Sequence, residues 1–289
     1  MRKSSVAPYL LLLPVLSLLV IVILIPALAA FTQSLSDAPI GRPSTFVGFK
    51  NYAQVLSDPN FWRAAINTFV IVNVVVFGEA ILGLGLAVLA AGWMPLRGVF
   101  ITALLVPYAV SEVSAIIMWR YLFEPDVGAA NWVLETLFGV QLLWPINSIH
   151  GLTLVSIISI WLTLPFTFLI LYSAIRTVPK DLIEAALVDG ASRPQIFWSV
   201  TLNVIKPALL IAILFRYIFA MRLFAEVWLL TAGGPAGQTE VLSTYLYRFG
   251  FRYQNPGVAS ATGWIMLVMS LIVAAFYLRR LQKASPTNA

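Results

Sequence analysis

Apolar positions along this chain do not alternate with polar ones; they run on. Six stretches, at about 7–31, 64–91, 99–119, 151–175, 207–230 and 258–278, are long and mostly apolar. A helix rising about 1.5 Å per residue needs about 20 such residues to cross a hydrocarbon core of about 30 Å. The first, fourth and sixth carry no charge, whereas the fifth holds Arg216, Arg222 and Glu226. Backbone groups in lipid must be satisfied within the chain, and barrel strands would alternate over about 10 residues, so continuous runs of this length predict helices. The pattern predicts an all-α membrane protein with six transmembrane helices over 7–278, between short tails at 1–6 and 279–289.

Composition sharpens this picture. Of 289 residues, 60% are hydrophobic and 10% charged, against about 25% charged in a soluble domain; a water-soluble fold is excluded. The net charge of +6 does not point to nucleic acid, because no basic run exceeds Arg279-Arg280, too little to track phosphates. The positive residues are a topology signal instead. With both termini in the cytoplasm, Arg2, Lys3, Arg97, Arg176, Lys180, Arg193, Lys206, Arg279, Arg280 and Lys283 fall inside. Only Arg42, Lys50, Arg63, Arg120, Arg248 and Arg252 fall outside, in longer segments, and excess Lys and Arg mark the cytoplasmic side. Although Arg2-Lys3 and Ala27-Leu28-Ala29 imitate a cleavable signal, an apolar run of about 25 residues is too long for a signal core of about 7–15.

The loops are unequal. The turn at 92–98 is minimal, but 176–206 carries its own helical pattern. Pro179 introduces a helix with Asp181 and Glu184 early, favourable to the helix dipole. Gly190 supplies a stop, and Ser192 caps a second short helix that Lys206-Pro207 is expected to end. From spacing alone this helix, turn, helix element is equally an amphipathic pair resting on headgroups. The loops on the other side contain Asp58-Pro59, Glu124-Pro125 and Gly233-Gly234-Pro235-Ala236-Gly237, which mark defined turns and a structured outer surface. An interfacial aromatic belt would also place Trp62, Trp132 and Trp144 there.

Ionisable residues within a span are functional candidates, because burying an unpaired charge is costly. They are Glu79, Glu112, Arg216, Arg222 and Glu226. Arg222 and Glu226, four apart, are expected to pair on one helix face, whereas Arg216 needs Glu79, Glu112 or a partner chain. Sugars bind to aromatic faces and hydrogen-bonding side chains. From the midspan set Asn73, Glu79, Tyr108, Ser111, Glu112, Ser114, Trp161, Tyr217 and Phe224, the preferred substrate path is Tyr108, Ser111, Glu112 and Tyr217, with Arg216. Pro107 is expected to break the third helix near its middle and free backbone groups to line a cavity. Structural packing remains the alternative for each.

Other chemistries find little support. The chain has no cysteine and one histidine, His150, at a membrane boundary without ligand-spaced partners, so no metal site or catalytic triad is indicated. No G-x-x-x-x-G-K-[ST] phosphate loop occurs, so ATP hydrolysis cannot be supplied by such a loop here. An intramembrane enzyme built on Glu112, or on Arg222 and Glu226, is the distant alternative.

The 176–206 segment reads Glu184-Ala185-Ala186, Asp189-Gly190-Ala191, Phe197, Thr201-Leu202 and Pro207. This resembles the EAA loop of permease subunits in binding-protein-dependent ABC importers, in which a Gly follows four residues after the second Ala and a Leu-Pro lies downstream. Phe46-Val47-Gly48-Phe49-Lys50-Asn51-Tyr52, Asp58-Pro59-Asn60-Phe61-Trp62, Asn67-Thr68, Trp119-Arg120-Tyr121-Leu122-Phe123 and Leu230-Thr231-Ala232-Gly233-Gly234-Pro235 resemble the carbohydrate-uptake branch, of maltose and glycerol-3-phosphate type. The pattern departs at Asn203, where the family usually has Pro.

The resemblance implies a MetI-like permease core in the bacterial inner membrane, with 176–206 as the cytoplasmic coupling helix docked on an ATPase through Glu184, Ala185, Ala186, Asp189, Gly190 and Ala191. It implies a second permease, most often a different chain, two ATPase subunits that hold ATP and Mg, and a periplasmic or lipid-anchored solute-binding protein delivering a sugar. No cofactor is implied on this chain. Arg216 and Arg222 leave open an anionic substrate, glycerol-3-phosphate or a sulfonated sugar.

Overall fold

The computed structural model describes residues 7–37, 43–92 and 94–284. The tail at 1–6, the residues beyond 284, and the topology markers Arg2, Lys3 and Arg42 lie outside the described residues.

Long apolar runs have become helices, as the hydrocarbon argument requires. Helix α1 (Ala7–Leu19) continues through a π turn at Val20–Leu24 into α2 (Ile25–Ser34). A two-residue antiparallel ladder follows, β1 (Ser36–Asp37) against β2 (Thr45–Phe46). Next come α3 (Lys50–Ser57), α4 (Pro59–Ala91), α5 (Arg97–Ala109), α6 (Glu112–Leu122), α7 (Ala129–Phe138) and α8 (Ser148–Arg176). The chain goes on through α9 (Lys180–Val188), α10 (Arg193–Ile196), a π turn at Phe197–Thr201, α11 (Leu202–Ala220), α12 (Ala225–Leu230), α13 (Leu242–Tyr247) and α14 (Pro256–Ala284). Among the described residues five helices are long and apolar enough to cross a membrane, or six if the bent pair α5 and α6 is one span.

The third span is broken near its middle, as expected from Pro107, and the fifth needs correction. In the third, α5 and α6 meet at 101°. The break falls at Val110 and Ser111, both extended, three residues beyond Pro107. The fifth does not begin at Pro207 or end at Leu230. It runs from Arg193 to Ala220 and takes Pro207 inside α11. Lys206-Pro207 therefore does not end the short helix that starts at Ser192. A membrane helix tolerates an internal proline when neighbours and local π adjustments satisfy the freed carbonyl, and here a π turn at Phe197–Thr201 lies just upstream. Asn203, the departure from the family pattern, sits within this helix and donates to the Ser199 carbonyl at 2.6 Å.

Two units divide the chain. The first, Met1–Phe61 with Tyr245–Leu267, is tied by polar contacts among α2, α3 and the start of α14. Asn51 donates to the carbonyls of Ser34 and Ser36, both at 2.9 Å, and Ser34 and Tyr52 hydroxyls lie 2.8 Å apart. The aliphatic side chains of the first span remain exposed, Leu11 at 79% and Ile21 at 61%.

The second unit, Trp62–Thr244 with Val268–Ala289, is built around α8. Asn147 caps it by accepting from the amides of Ile149 and His150. Buried Leu154, Val155, Ile158 and Leu162 face the core. Helix α4 approaches α8 through two glycines. A Cβ on Gly78 would lie 2.9 Å from Ile160 Cδ1, and one on Gly83 would lie 3.0 Å from Thr167 Cγ2. Small residues allow close helix approach where lipid supplies no hydrophobic drive to association. Their consequence is positional, since Glu79 stands between them and is held against α8.

The Pro- and Gly-rich turns are defined, as their composition predicts. Asn67 of α4 donates to the carbonyls of Gln238 and Glu240 at 2.7 and 2.9 Å. Thr68 accepts from the Leu242 amide at 2.9 Å. In the loop after α6, Trp144 donates to the Phe123 carbonyl at 2.9 Å, and a Cβ on Gly128 would meet the carbonyl oxygens of Glu124 and Leu122 at 2.5 Å. Gly128→Ala is expected to cost about 1–3 kcal/mol of stability through overpacking, read as a lowered Tm of the purified membrane protein; an unchanged Tm would mean that the loop opens freely.

Candidate functional site

The polar centre of the second unit is an ion pair on two helices. Arg216 of α11 and Glu79 of α4 are both buried. Arg216 Nη2 donates to Glu79 Oε1 at 2.8 Å, and Nε donates to Oε2. Two threonines of α8 complete the carboxylate shell, Thr163 at 2.5 Å from Oε1 and Thr167 at 3.2 Å from Oε2. Thr163 also accepts from Arg216 Nη2 at 2.8 Å. The forked guanidinium matches a carboxylate bidentately, so the charge of Arg216 is balanced within the fold. This resolves which of the acids it uses.

Beside this pair lies a cavity of about 280 Å³, lined by residues of α4, α5, α6, α8, α11 and α12 and of the turn after α11. Pocket volumes for small ligands begin at roughly 300 Å³. Tyr108 from α5, Glu112 from α6, Ser159 and Thr163 from α8, Arg216 and Phe219 from α11, and Glu226 from α12 supply its polar and aromatic wall. The interruption of the third span brings Tyr108 and Glu112 here. Glu112 opens α6 and is exposed. Glu226, 8% exposed, stands in the first turn of α12 and accepts from Ser159 at 3.0 Å.

Not every expected residue of this path joins the cavity. Ser111 sits at the break, without a side-chain capping bond, and is exposed, but it is absent from the lining. Tyr217 faces elsewhere: its hydroxyl donates to Asn73 Oδ1 at 2.5 Å and its ring contacts Tyr277 at 5.2 Å. Arg216 and Tyr217 are consecutive, and a 100° step on a helix sends the two side chains to different faces. The expected Arg222 and Glu226 pair does not form, because the chain turns between them at Met221–Phe224 and the i, i+4 geometry is lost. Arg222 is exposed and stacks over Phe219 at 5.5 Å. Ser159 and Thr163 were not singled out from the sequence. Their four-residue spacing on α8 is the signal that was available.

His150 has a structural role: its Nδ1 accepts from the Leu143 amide at 3.0 Å. No group of three metal-ligating residues occurs among the described residues.

Within 176–206, the short helix α9 buries none of its residues. In α9, Leu182, Leu187 and Val188 are 46, 53 and 87% exposed, and Glu184 and Ala185 are exposed. Gly190 ends the helix with φ of +81°. Its amide donates to Leu187 and that of Ala191 to Ala186, both at 3.0 Å, the paired bonds of a Schellman turn. Ser192 and Gln195 then form a capping box that starts α10. Asp189, Gly190 and Ala191 are thus the corner between the exposed helix and the long helix that carries Arg216.

Residues 4–284 match the family model described as binding-protein-dependent transport system inner membrane component. The chain belongs to this family. Among its relatives, the trehalose/maltose transport system permease protein MalF of Thermococcus litoralis is 34% identical, over 94% of this chain and 92% of that one. The sulfoquinovosyl glycerol transport system permease protein SmoG of Agrobacterium fabrum is 33% identical, over 93% and 88% of the two chains. In fold, the permease resembles a chain of a bacterial ABC transporter involved in the import of the acidic polysaccharide alginate, with a TM-score of 0.83, 22% identity, and coverage of 96% of this chain and 95% of that one. Membership makes this chain a multi-pass membrane subunit of a transport system and sets aside the intramembrane enzyme.

Proposed function

We propose that this permease is one of two membrane-spanning subunits of an ATP-driven importer for a sugar or oligosaccharide delivered by a solute-binding protein. Separate ATPase subunits, holding ATP and Mg, supply the energy. Both termini and the 176–206 segment face the cytoplasm, and the second permease is a different chain. Glu184, Ala185, Ala186, Asp189, Gly190 and Ala191 form the coupling element, while Tyr108, Glu112 and Arg216 border the substrate path.

The observation that carries this reading is α9. A nine-residue helix without a buried side chain that presents Leu182, Leu187 and Val188 has an apolar surface suited to a protein partner. The glutamate-alanine-alanine run lies on that helix, and the Gly190 corner joins it to the helix whose Arg216 borders the cavity. A push on α9 therefore has a continuous covalent route to the cavity wall. The sugar assignment draws support from relatives named for sugar transport.

Purification of the tagged permease from its native membrane should recover an ATPase subunit and a second permease, and binding protein loaded with sugar should raise ATP hydrolysis several-fold. Recovery of the chain alone, or hydrolysis indifferent to the loaded binding protein, would overturn the assignment.

A further inference from the structure

The charge balance of the cavity separates the substrate classes that the sequence left open. Resting on the assignment of this cavity to the substrate path, the geometry points to an electronegative passage that admits neutral or amino-bearing saccharides and disfavours anionic ones.

Three acidic side chains and one guanidinium meet around this space. Arg216 is bonded bidentately to buried Glu79, which leaves Glu112 and Glu226 in the cavity wall without a cation of their own among the lining residues. Glu226 accepts only from neutral Ser159 among its side-chain partners. The other two cations of the region are turned to different tasks. Arg222 rests on the Phe219 ring and is not part of the lining. Arg120 donates to the Leu229 carbonyl at 3.1 Å and lies over Trp144 at 5.3 Å. A cleft of one sign between low-dielectric walls focuses its field on whatever enters. The hydroxyls of Ser159, Thr163 and Tyr108 suit a saccharide, while the exposed Glu112 carboxylate, with the buried acidic side chain of Glu226 behind it, disfavours a sulfonate, phosphate or uronate.

The chain contains no cysteine, so a single one reports the local field. In the assembled transporter, Val110→Cys, on the cavity wall, is to be modified with a trimethylammonium-ethyl and a sulfonatoethyl methanethiosulfonate. The label is followed by the mass of this chain, and rates are normalised to those of a small free thiol. The normalised rate is expected to favour the cation about tenfold, equivalent to about 1.4 kcal/mol. The preference should fall severalfold in Glu112→Gln, an exposed position where folding is not at stake, and further when Glu226→Gln is added. Leu162→Cys, on the α8 wall, should report the same sign. Equal rates, a preference for the anion, or a cation preference untouched by the glutamine variants would overturn the charge assignment. Failure of both reagents to reach either cysteine throughout the ATP cycle would remove the cavity from the substrate path, and both inferences with it.

Discussion

Replacing Gly190 by valine is expected to lower ATP-driven uptake at least about tenfold while the permease still inserts and assembles. The glycine has φ of +81°, yet a Cβ there would meet nothing within 4 Å. The penalty is therefore conformational. Left-handed backbone costs an L-residue roughly 1–2 kcal/mol, and a β-branched residue more. The strained corner is expected to rearrange and lose the Gly190 to Leu187 and Ala191 to Ala186 bonds, so that α9 leaves the angle at which the Ser192 cap launches the following helix. Asparagine visits this region with little strain, so Gly190→Asn should keep most of the uptake and Gly190→Ala should fall between. The measurement is uptake per assembled complex in proteoliposomes, with complex integrity read from co-purified ATPase. Wild-type uptake by the valine variant, with the complex intact, would mean that this corner does not transmit the stroke.

Glu79→Met should destabilise the permease by about 3–5 kcal/mol, because it strands the buried guanidinium of Arg216. Thr163 remains as a partner for Nη2, but a hydroxyl does not offset a full charge away from water. Adding Arg216→Met to the same chain should recover much of that loss, since replacing both members of a buried pair by apolar side chains of similar volume is often close to neutral. Thermal denaturation in detergent of the wild type and the two single and one double variants gives the coupling between the sites. A double variant whose loss equals the sum of the singles would show that the pair contributes no mutual stabilisation. Recovery of stability without recovery of uptake would separate the scaffold role of Arg216 from its position on the cavity wall.

The two variants probe different parts of the proposed lever. Gly190 joins α9 to the helix that carries Arg216, and Arg216 ties that helix to α4 and α8. Under the proposed coupling, movement delivered at the exposed helix has two routes along the chain to the cavity wall, forward through the run Arg193–Ala220 and back through α8, which ends at Arg176.

Much of this was legible in the chain itself. Uncharged apolar runs fix helices because lipid offers the backbone no other partner. The Glu184 to Gly190 stretch announced a helix and its stop, since a left-handed C-terminal corner selects glycine locally. Arg216 was known to need an acid, because a buried charge demands one. What hydropathy could not give was the direction of each side chain or the continuity of each helix. The window of the fifth span averages over the break at Met221–Phe224, so Arg222 and Glu226 looked like neighbours on one face, and Tyr217 like a companion of Tyr108; in the third span Pro107 gave the break but not its place at Val110 and Ser111. Only the packing of α4 against α8 through Gly78 and Gly83 chose Glu79 as the partner of Arg216 and left Glu112 and Glu226 facing the cavity. Sequence periodicity is a property of one helix, whereas the charge of a cavity depends on which faces of several helices meet.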